Sequence, residues 1–135
     1  MRVTDCRSAD GRMARILFID DDPPTLDLFG QILKGAGHEV IMARDGVAGL
    51  ALYRENPTDL IITDIMMPVK DGMEVINELK RDFPQVKIIA ISGSDREERR
   101  EFFFDVSRIL GAKRTFEKPI DPVALLQAVR ELAPD

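Results

Sequence analysis

The stretch LIITDIMMP, Leu60 to Pro68, decides the fold of this chain, because its apolar run stops at a single carboxylate, Asp64. Apolar residues on both faces of such a run, followed by turn residues, are typical of a central strand in a parallel sheet. A second run, ILFIDDD at 16–22, ends in carboxylates in the same way. Two strand ends are therefore expected to direct acidic side chains to one edge of the sheet.

Outward from these runs, extended and helical patterns alternate five times along the chain. Glycine and proline residues at the expected helix ends support the boundaries. The strict alternation predicts an α/β fold, a doubly wound five-stranded parallel sheet of flavodoxin-like (βα)5 type with strand order 2-1-3-4-5. Strands are predicted near residues 15–20, 39–43, 60–64, 87–92 and 114–116, and helices near 24–35, 46–55, 72–83, 97–110 and 122–132.

In this strand order the topological switch point, where the order of strand addition reverses, lies between the first and third strands, which carry Asp20 and Asp64. Ligands of such sheets bind outside the carboxyl ends of the strands at this switch point. Ser92 in IIAISG and Lys118 in FEKPI also follow short strand-like runs. The same edge is thus expected to hold acids, an amine and a hydroxyl, a set suited to magnesium and a phosphoryl group.

The neighbouring carboxylates of Asp20 and Asp21 repel each other by roughly 4 kcal/mol at 4 Å and an effective dielectric of 20. With Asp64 and Lys118 they carry a formal surplus of two negative charges, which one divalent ion neutralises. Oxygen ligands at an open edge suit Mg²⁺. Asp64 has the chemistry to accept a phosphoryl group as an acyl phosphate beside an ammonium such as Lys118. A bare acidic pair is also compatible with a solvated loop.

Composition bounds the remaining possibilities. A chain of 135 residues with 44% hydrophobic content makes one domain with an ordinary core, expected over 14–135 after a mobile tail at 1–13. The net charge of −5 argues against direct DNA binding. The single cysteine, Cys6, excludes an internal disulfide, and no apolar stretch is long enough to span a membrane. These features predict a soluble, cytoplasmic protein.

Four motifs in order, DDD, TDIMMP, ISG and EKP, resemble the receiver domain of two-component response regulators, over residues 15–133. The resemblance implies that Asp64 is the phosphoacceptor and that Asp20 and Asp21 are the acidic pair. It also implies that the main-chain carbonyl of Met66 completes the protein ligands of Mg²⁺. Gly72 in PVKDG matches the turn that follows the acceptor in this family.

By the same resemblance, Ser92 is the switch hydroxyl and Lys118 contacts the phosphoryl group. The implied function is that of a signalling protein rather than an enzyme. It would take a phosphoryl group from a sensor histidine kinase or histidine phosphotransfer protein. Because no effector domain follows Asp135 in this sequence, output is expected through a separate protein partner or a second copy of the chain, by way of the fourth helix and fifth strand.

The chain departs from the family pattern in one functional position. The aromatic switch residue is expected three positions before the lysine, where Thr115 lies. Phe116 cannot replace it, because alternation along a strand turns neighbouring side chains to opposite faces. The fourth helix is also expected to be about one turn longer than in the short family pattern.

The fourth helix contains EFFFD, whose three phenylalanines cannot all face the sheet, since they lie about 100° apart. With Val106 taken as the centre of the buried face, Phe104 is predicted to be exposed and to take part in docking. The same phase predicts a sheet-facing side made of Phe102, Phe103, Ile109 and Leu110.

Two other functions remain open on sequence grounds. Asp20-Asp21-Asp22 has the D-x-D spacing of haloacid-dehalogenase-like Mg-dependent phosphatases, in which Asp20 would be the nucleophile, although Pro24 lies where that family has a small Thr or Val. The other alternative function is that of a receiver-like interaction module that never uses phosphate. The phosphatase and the receiver differ in which aspartate becomes phosphorylated.

Overall fold

A computed structural model describes residues 13–65, 72–93 and 97–134, with only the backbone of 97–100 and 103. Strands and helices alternate throughout, as the sequence predicts, and the predicted bounds hold to within one residue. The strands are β1 (Arg15–Ile19), β2 (Glu39–Ala43), β3 (Leu60–Asp64), β4 (Ile88–Ser92) and β5 (Arg114–Glu117). The helices are α1 (Pro23–Gly35), α2 (Gly46–Glu55), α3 (Gly72–Asp82), α4 (Glu97–Leu110) and α5 (Pro122–Leu132).

The five strands form one sheet in the order β2-β1-β3-β4-β5, and all neighbouring strands are parallel. This confirms the predicted fold class. β1 and β3 are neighbours, with Ile16 paired to Leu60, so their carboxyl ends lie side by side. On the other side of β3, Asp64 is paired with Ile91 of β4, one residue before Ser92.

The sheet is covered on both faces, and the alternation of side chains along β1 shows why. Ile16 and Phe18 belong to an apolar cluster with α1 and α5, whereas Leu17 and Ile19 belong to a second cluster with α2 and α3. A strand buried on both faces must be apolar at every position. The continuous apolar runs that define β1, β3 and β4 in the sequence follow from this two-sided burial.

The predicted phase of α4 is wrong. Phe104 is partly buried and packs against the cluster under α2 and α3, whereas Phe102 is 60% and Ile109 83% exposed. The centre of the buried face is Ser107, which is fully buried, rather than Val106. The small hydroxyl of Ser107 donates to the Phe104 carbonyl at 2.8 Å, so it faces the core without an unsatisfied group. A prediction that centres the buried face of a helix on a large apolar residue misses a face centred on a serine.

On β5, Phe116 packs against the cluster formed with α1 and α5, which confirms that it points away from the position of Thr115. Thr115 instead accepts a hydrogen bond from Arg108 of α4 at 3.4 Å. Leu110 also packs on the core as predicted.

Several predictions lie outside the described residues, namely those on the tail with Cys6, on Met66 and on the side chain of Phe103. Within the described ranges, none of the helices combines the length and apolarity needed to cross a bilayer.

Candidate functional site

Two aspartates end neighbouring central strands at the carboxyl edge of the sheet. Asp64 is the last residue of β3, and Asp20 directly follows β1, held in line by a hydrogen bond from its N–H to the Ala43 carbonyl at 3.1 Å. Both side chains are buried, Asp20 completely. Asp21, next along the chain, is exposed. The predicted gathering of acids at one edge is therefore present, with two carboxylates inside the edge and one at its surface.

Lys118 joins the two buried carboxylates. Its Nζ lies 3.0 Å from Asp20 Oδ2 and 3.2 Å from Asp64 Oδ2. The lysine follows β5, and its own N–H donates to the Ser92 carbonyl at 2.9 Å, which fixes the start of the loop against β4. The Lys118–Pro119 peptide bond is cis. An ammonium at the centre of this edge thus bridges the ends of β1 and β3.

Burial raises the pKa of Asp20, because the charged carboxylate loses solvent. Two interactions lower this pKa without cancelling the effect of burial. The Oδ1 atom accepts a hydrogen bond from the Asp22 N–H at 2.9 Å, and the positive charge of Lys118 lies nearby. Among the described residues, Asp20 Oδ2 accepts no hydrogen bond, although it is buried and close to the ammonium. A buried carboxylate oxygen that accepts no hydrogen bond is well suited to ligate a cation.

Burial on its own would lower the pKa of the Lys118 ammonium, but the negative charges of Asp64 and Asp20 outweigh it, so the pKa lies above its ordinary value. The lysine is therefore charged at neutral pH. It offsets part of the negative charge at the edge while keeping about a quarter of its side chain exposed. An anionic group entering from solvent would meet this ammonium.

Asp20, Asp21 and Asp64 each offer a carboxylate oxygen, and these oxygens lie within 4.8 Å of one another. Three carboxylates at this spacing, one of them with an oxygen that accepts no hydrogen bond, fit a hard divalent cation such as Mg²⁺. The predicted fourth protein contribution, the carbonyl of Met66, lies outside the described residues.

Ser92 is the last residue of β4 and is fully buried. Because β4 runs beside β3, its hydroxyl group lies at the same edge of the sheet as Asp64. The next residue, Gly93, lies against the stem of Lys118, since a Cβ added there would be 3.1 Å from the lysine Cδ. A larger residue at this position would press on the lysine.

Two geometric features near the site could not be predicted from the sequence, although Gly72 itself matches the turn that follows the acceptor. Gly72, the first residue of α3, leaves so little room that an added Cβ would lie 2.4 Å from the Asp64 carbonyl oxygen. A cavity of about 480 Å³ also opens beside Lys118, with Leu28 of α1 and Ile120 among its lining residues. Both depend on how separate elements meet, which residue spacing does not encode.

Comparison with known proteins agrees with this geometry. The sequence profile described as "Response regulator receiver domain" matches residues 16–130. The chain is 30% identical over 119 residues to "Protein PilH" of Pseudomonas aeruginosa, covering 87% of this chain and 95% of that protein. It is 36% identical over 122 residues to the "DNA-binding dual master transcriptional regulator RpaA" of Synechocystis, covering 89% of this chain but only 49% of that protein.

Solved structures are also similar to this chain over most of its length. The chemotaxis protein CheY4 of Vibrio cholerae superposes with a TM-score of 0.78 at 27% identity, covering 89% of this chain and 98% of that one. A receiver domain protein described as CheY-like, from Methanospirillum hungatei, superposes with a TM-score of 0.77 at 33% identity, covering 88% and 92%.

Proposed function

The chain belongs to the response regulator receiver domain family of two-component signalling, and from this we propose that residues 14–135 accept a phosphoryl group on Asp64. The donor would be a phosphohistidine of a sensor kinase or phosphotransfer protein in the cytoplasm. The observation that carries the proposal is the position of the Asp64 carboxylate, buried at the end of β3 and 3.2 Å from the Lys118 ammonium. The family is one of signalling proteins, so no turnover of a separate substrate is implied.

In the proposed reaction an Asp64 carboxylate oxygen attacks the phosphorus of the phosphohistidine. A phosphorus–oxygen bond forms, the phosphorus–nitrogen bond breaks, and the histidine nitrogen keeps the electron pair. The ammonium of Lys118 offsets charge on the phosphoryl oxygens in a site with little solvent, where electrostatic stabilisation is strong. The product is an acyl phosphate on Asp64.

Mg²⁺, held by the carboxylates of Asp20, Asp21 and Asp64, would neutralise negative charge at the site and accept phosphoryl oxygens as ligands. These residues would keep the cation at the edge of the sheet, directly beside Lys118. Removal of the cation leaves a formal surplus of negative charge, which disfavours an anionic donor.

Signalling would follow from the added charge, since conversion of a carboxylate to an acyl phosphate adds about one negative charge and new acceptor oxygens. We propose that the Ser92 hydroxyl donates to one of these oxygens and that the loop after β4 reorganises with it. The position of Ser92 at the end of β4, beside the strand of Asp64, supports this role. The changed surface would then be read by a separate protein partner.

The test is incubation with a small phosphodonor and Mg²⁺, followed by intact mass measurement and site mapping. We expect labelling at Asp64 that requires the divalent cation and disappears in Asp64→Asn. Labelling that survives in Asp64→Asn and vanishes in Asp20→Asn would overturn the proposal in favour of a phosphatase nucleophile at Asp20. Absence of labelling under all conditions would favour the interaction module that uses no phosphate.

A further inference from the structure

A second cavity, of about 360 Å³, lies at the amino edge of the sheet, where the strands begin, opposite the edge that holds Asp64. It opens between the last turns of α2 and α3 and the segments that lead into β3 and β4. Its lining includes Tyr53, Asp59, Phe83 and Val86, and none of its lining residues belongs to the acidic edge. A concave site of this size, with mostly apolar walls and few polar groups, is typical of sites for small molecules.

Tyr53 presents to this cavity a hydroxyl group without a protein partner. Its ring packs edge-to-face on the Phe83 ring, with ring centres 5.0 Å apart, and the residue is only 6% exposed. Within the part of the chain that the structure describes, the hydroxyl makes no hydrogen bond. It is not sealed from solvent, because Asp20 Oδ2 is the one side-chain polar atom in that part that is both enclosed and without a hydrogen bond. A buried tyrosine hydroxyl usually has a partner, so one that is open to a cavity indicates a place for a ligand group.

Asp59 supplies a negative charge at the same cavity. Its Oδ2 accepts a hydrogen bond at 2.8 Å from the Arg15 N–H, a neutral donor, and the carboxylate forms no ion pair with any described residue. Burial raises the pKa of Tyr53, and the charge of Asp59 raises it further, which agrees with the two groups lying on one cavity. A carboxylate oxygen and a phenol oxygen are thus both able to accept hydrogen bonds from a cation.

Other charged side chains around the cavity are already paired. Asp82, the second acid in the lining, forms ion pairs with Arg54 at 2.7 Å and with Arg81 at 3.0 Å. Arg15, whose guanidinium donates to a carbonyl close to Asp59 in the chain, is paired with Glu39. The negative charge offered to a ligand is therefore that of Asp59.

Lys80 holds one wall of the cavity in place. Its ammonium donates to the carbonyls of Pro84 and Val86 at 3.0 and 3.2 Å. Its stem lies beside Gly111, where an added Cβ would be 2.6 Å from the lysine Cε. Because Gly111 follows α4, the ammonium approaches this wall from the side of α4, whereas Tyr53 approaches the cavity from α2.

We propose that this cavity binds a small organic cation, a primary amine carried on a short apolar body. The ammonium would lie between the Asp59 carboxylate and the Tyr53 hydroxyl and donate to both. The apolar body would pack against the side chains of Phe83, Pro84 and Val86. The proposal goes beyond phosphoryl acceptance at the opposite edge and does not depend on it, so its test uses the full chain without a phosphodonor.

Titration of the isotope-labelled chain with phenethylamine, followed through amide chemical shifts by NMR, tests the proposal. We expect a dissociation constant on the order of 1 mM for so small a ligand, with shift changes at residues 53, 58–59 and 83–86. Phenethyl alcohol, which has the same shape without the charge, should bind at least about tenfold more weakly.

Three outcomes of this titration would overturn the proposal. One is the absence of saturable shift changes up to about 20 mM phenethylamine, well above the expected dissociation constant. Another is binding of phenethyl alcohol as tight as that of the amine, which would mean an apolar cavity without selection for charge. The third is a set of shift changes centred on Asp20 and Asp64, which would mean that the amine binds at the acidic edge instead.

Two substitutions separate the charge from the hydroxyl. Asp59→Asn removes the charge but keeps an oxygen for the Arg15 N–H, and it should weaken phenethylamine binding at least about tenfold. Tyr53→Phe removes only the hydroxyl and keeps the contact with Phe83, and it should weaken binding about three- to tenfold. The matched control is Asp27→Asn at an exposed carboxylate on α1, which should bind like the wild type. The same spectra verify that each variant is folded, and wild-type affinity in either Asp59→Asn or Tyr53→Phe would exclude the proposed contacts.

Discussion

At the scale of single residues, Lys118 connects the ends of two strands through its ammonium. It lies within 3.2 Å of a carboxylate oxygen of both Asp20 and Asp64, so the same charge that would bind a phosphoryl group also holds the site together. The raised pKa of this lysine reflects its two acidic neighbours, which more than offset its burial. The proposed function and the stability of the domain would therefore be coupled at this side chain.

Lys118→Gln should lower the free energy of unfolding by about 1–3 kcal/mol, because two buried carboxylates lose their shared counter-charge, with a discount for the part of the lysine that is exposed. Urea denaturation without divalent cations would measure the loss. Lys113→Gln, at an exposed lysine, is the matched control and should change stability by less than about 0.5 kcal/mol. If both variants were equally stable, the ammonium would contribute nothing to holding the strand ends.

At the scale of elements, the approach of α3 to the end of β3 depends on a missing side chain. An added Cβ at Gly72 would meet the Asp64 carbonyl oxygen at 2.4 Å and the Ile65 Cα at 2.5 Å. Both are backbone atoms, which cannot move aside as a flexible side chain would. The first turn of α3 therefore sets the position of the residue proposed to accept the phosphoryl group.

Gly72→Ala should lower the free energy of unfolding by about 1–3 kcal/mol through overpacking and should slow labelling of Asp64, since the strand end must shift. Gly35→Ala is the control, because nothing lies within 4 Å of a Cβ added at that helix end. It should be neutral or stabilising by up to about 1 kcal/mol. Denaturation and labelling rates would be measured on both variants. Equal behaviour of the two would mean that the backbone around Gly72 adjusts without cost.

At the scale of the whole molecule, charged contacts between α2 and α3 add to the two-sided apolar core. Arg54 of α2 donates to Glu78 at 2.9 Å and to Asp82 at 2.7 Å, both on α3. Its guanidinium also lies 5.7 Å from the centre of the Phe83 ring. Hydrogen bonds from Arg81 and Arg54 lower the pKa of Asp82 to about 2.

A lowered pKa stabilises the fold above the pKa of the unfolded state, and the stabilisation is lost as pH falls through the folded value. For Asp82 that window runs from its ordinary value of 3.8 down to about 2. Wild type should therefore be more stable than Asp82→Asn at pH 7, and the difference should shrink between about pH 4 and pH 2.

Urea denaturation of both chains at several pH values would check this. In an Arg54→Gln background the Asp82→Asn substitution should have a smaller effect, because one of the two arginine partners is already absent. A difference between wild type and Asp82→Asn that stayed constant down to pH 2 would show that the carboxylate charge of Asp82 contributes nothing.

The sequence by itself determined the fold and the placement of the acidic edge. Strands buried on both faces must be apolar throughout, and parallel strands joined by helices end at one edge, so the sequence alone places Asp20, Asp64 and Lys118 together. Their neighbours along the chain carried enough of a motif to indicate a family. The apolar runs and the motifs that follow them are short stretches of sequence, and they indicate the same fold if a strand or helix is shifted slightly.

The tertiary structure alone decided how α4 is turned and which surface it presents. A buried face centred on Ser107, with Phe102 and Ile109 outside, depends on how α4 packs against the sheet and α3. The EFFFD segment is compatible with several phases, because apolar residues occur on more than one side of the helix. The close approach of Gly72 to Asp64 is hidden for the same reason, since it arises from two elements meeting in space.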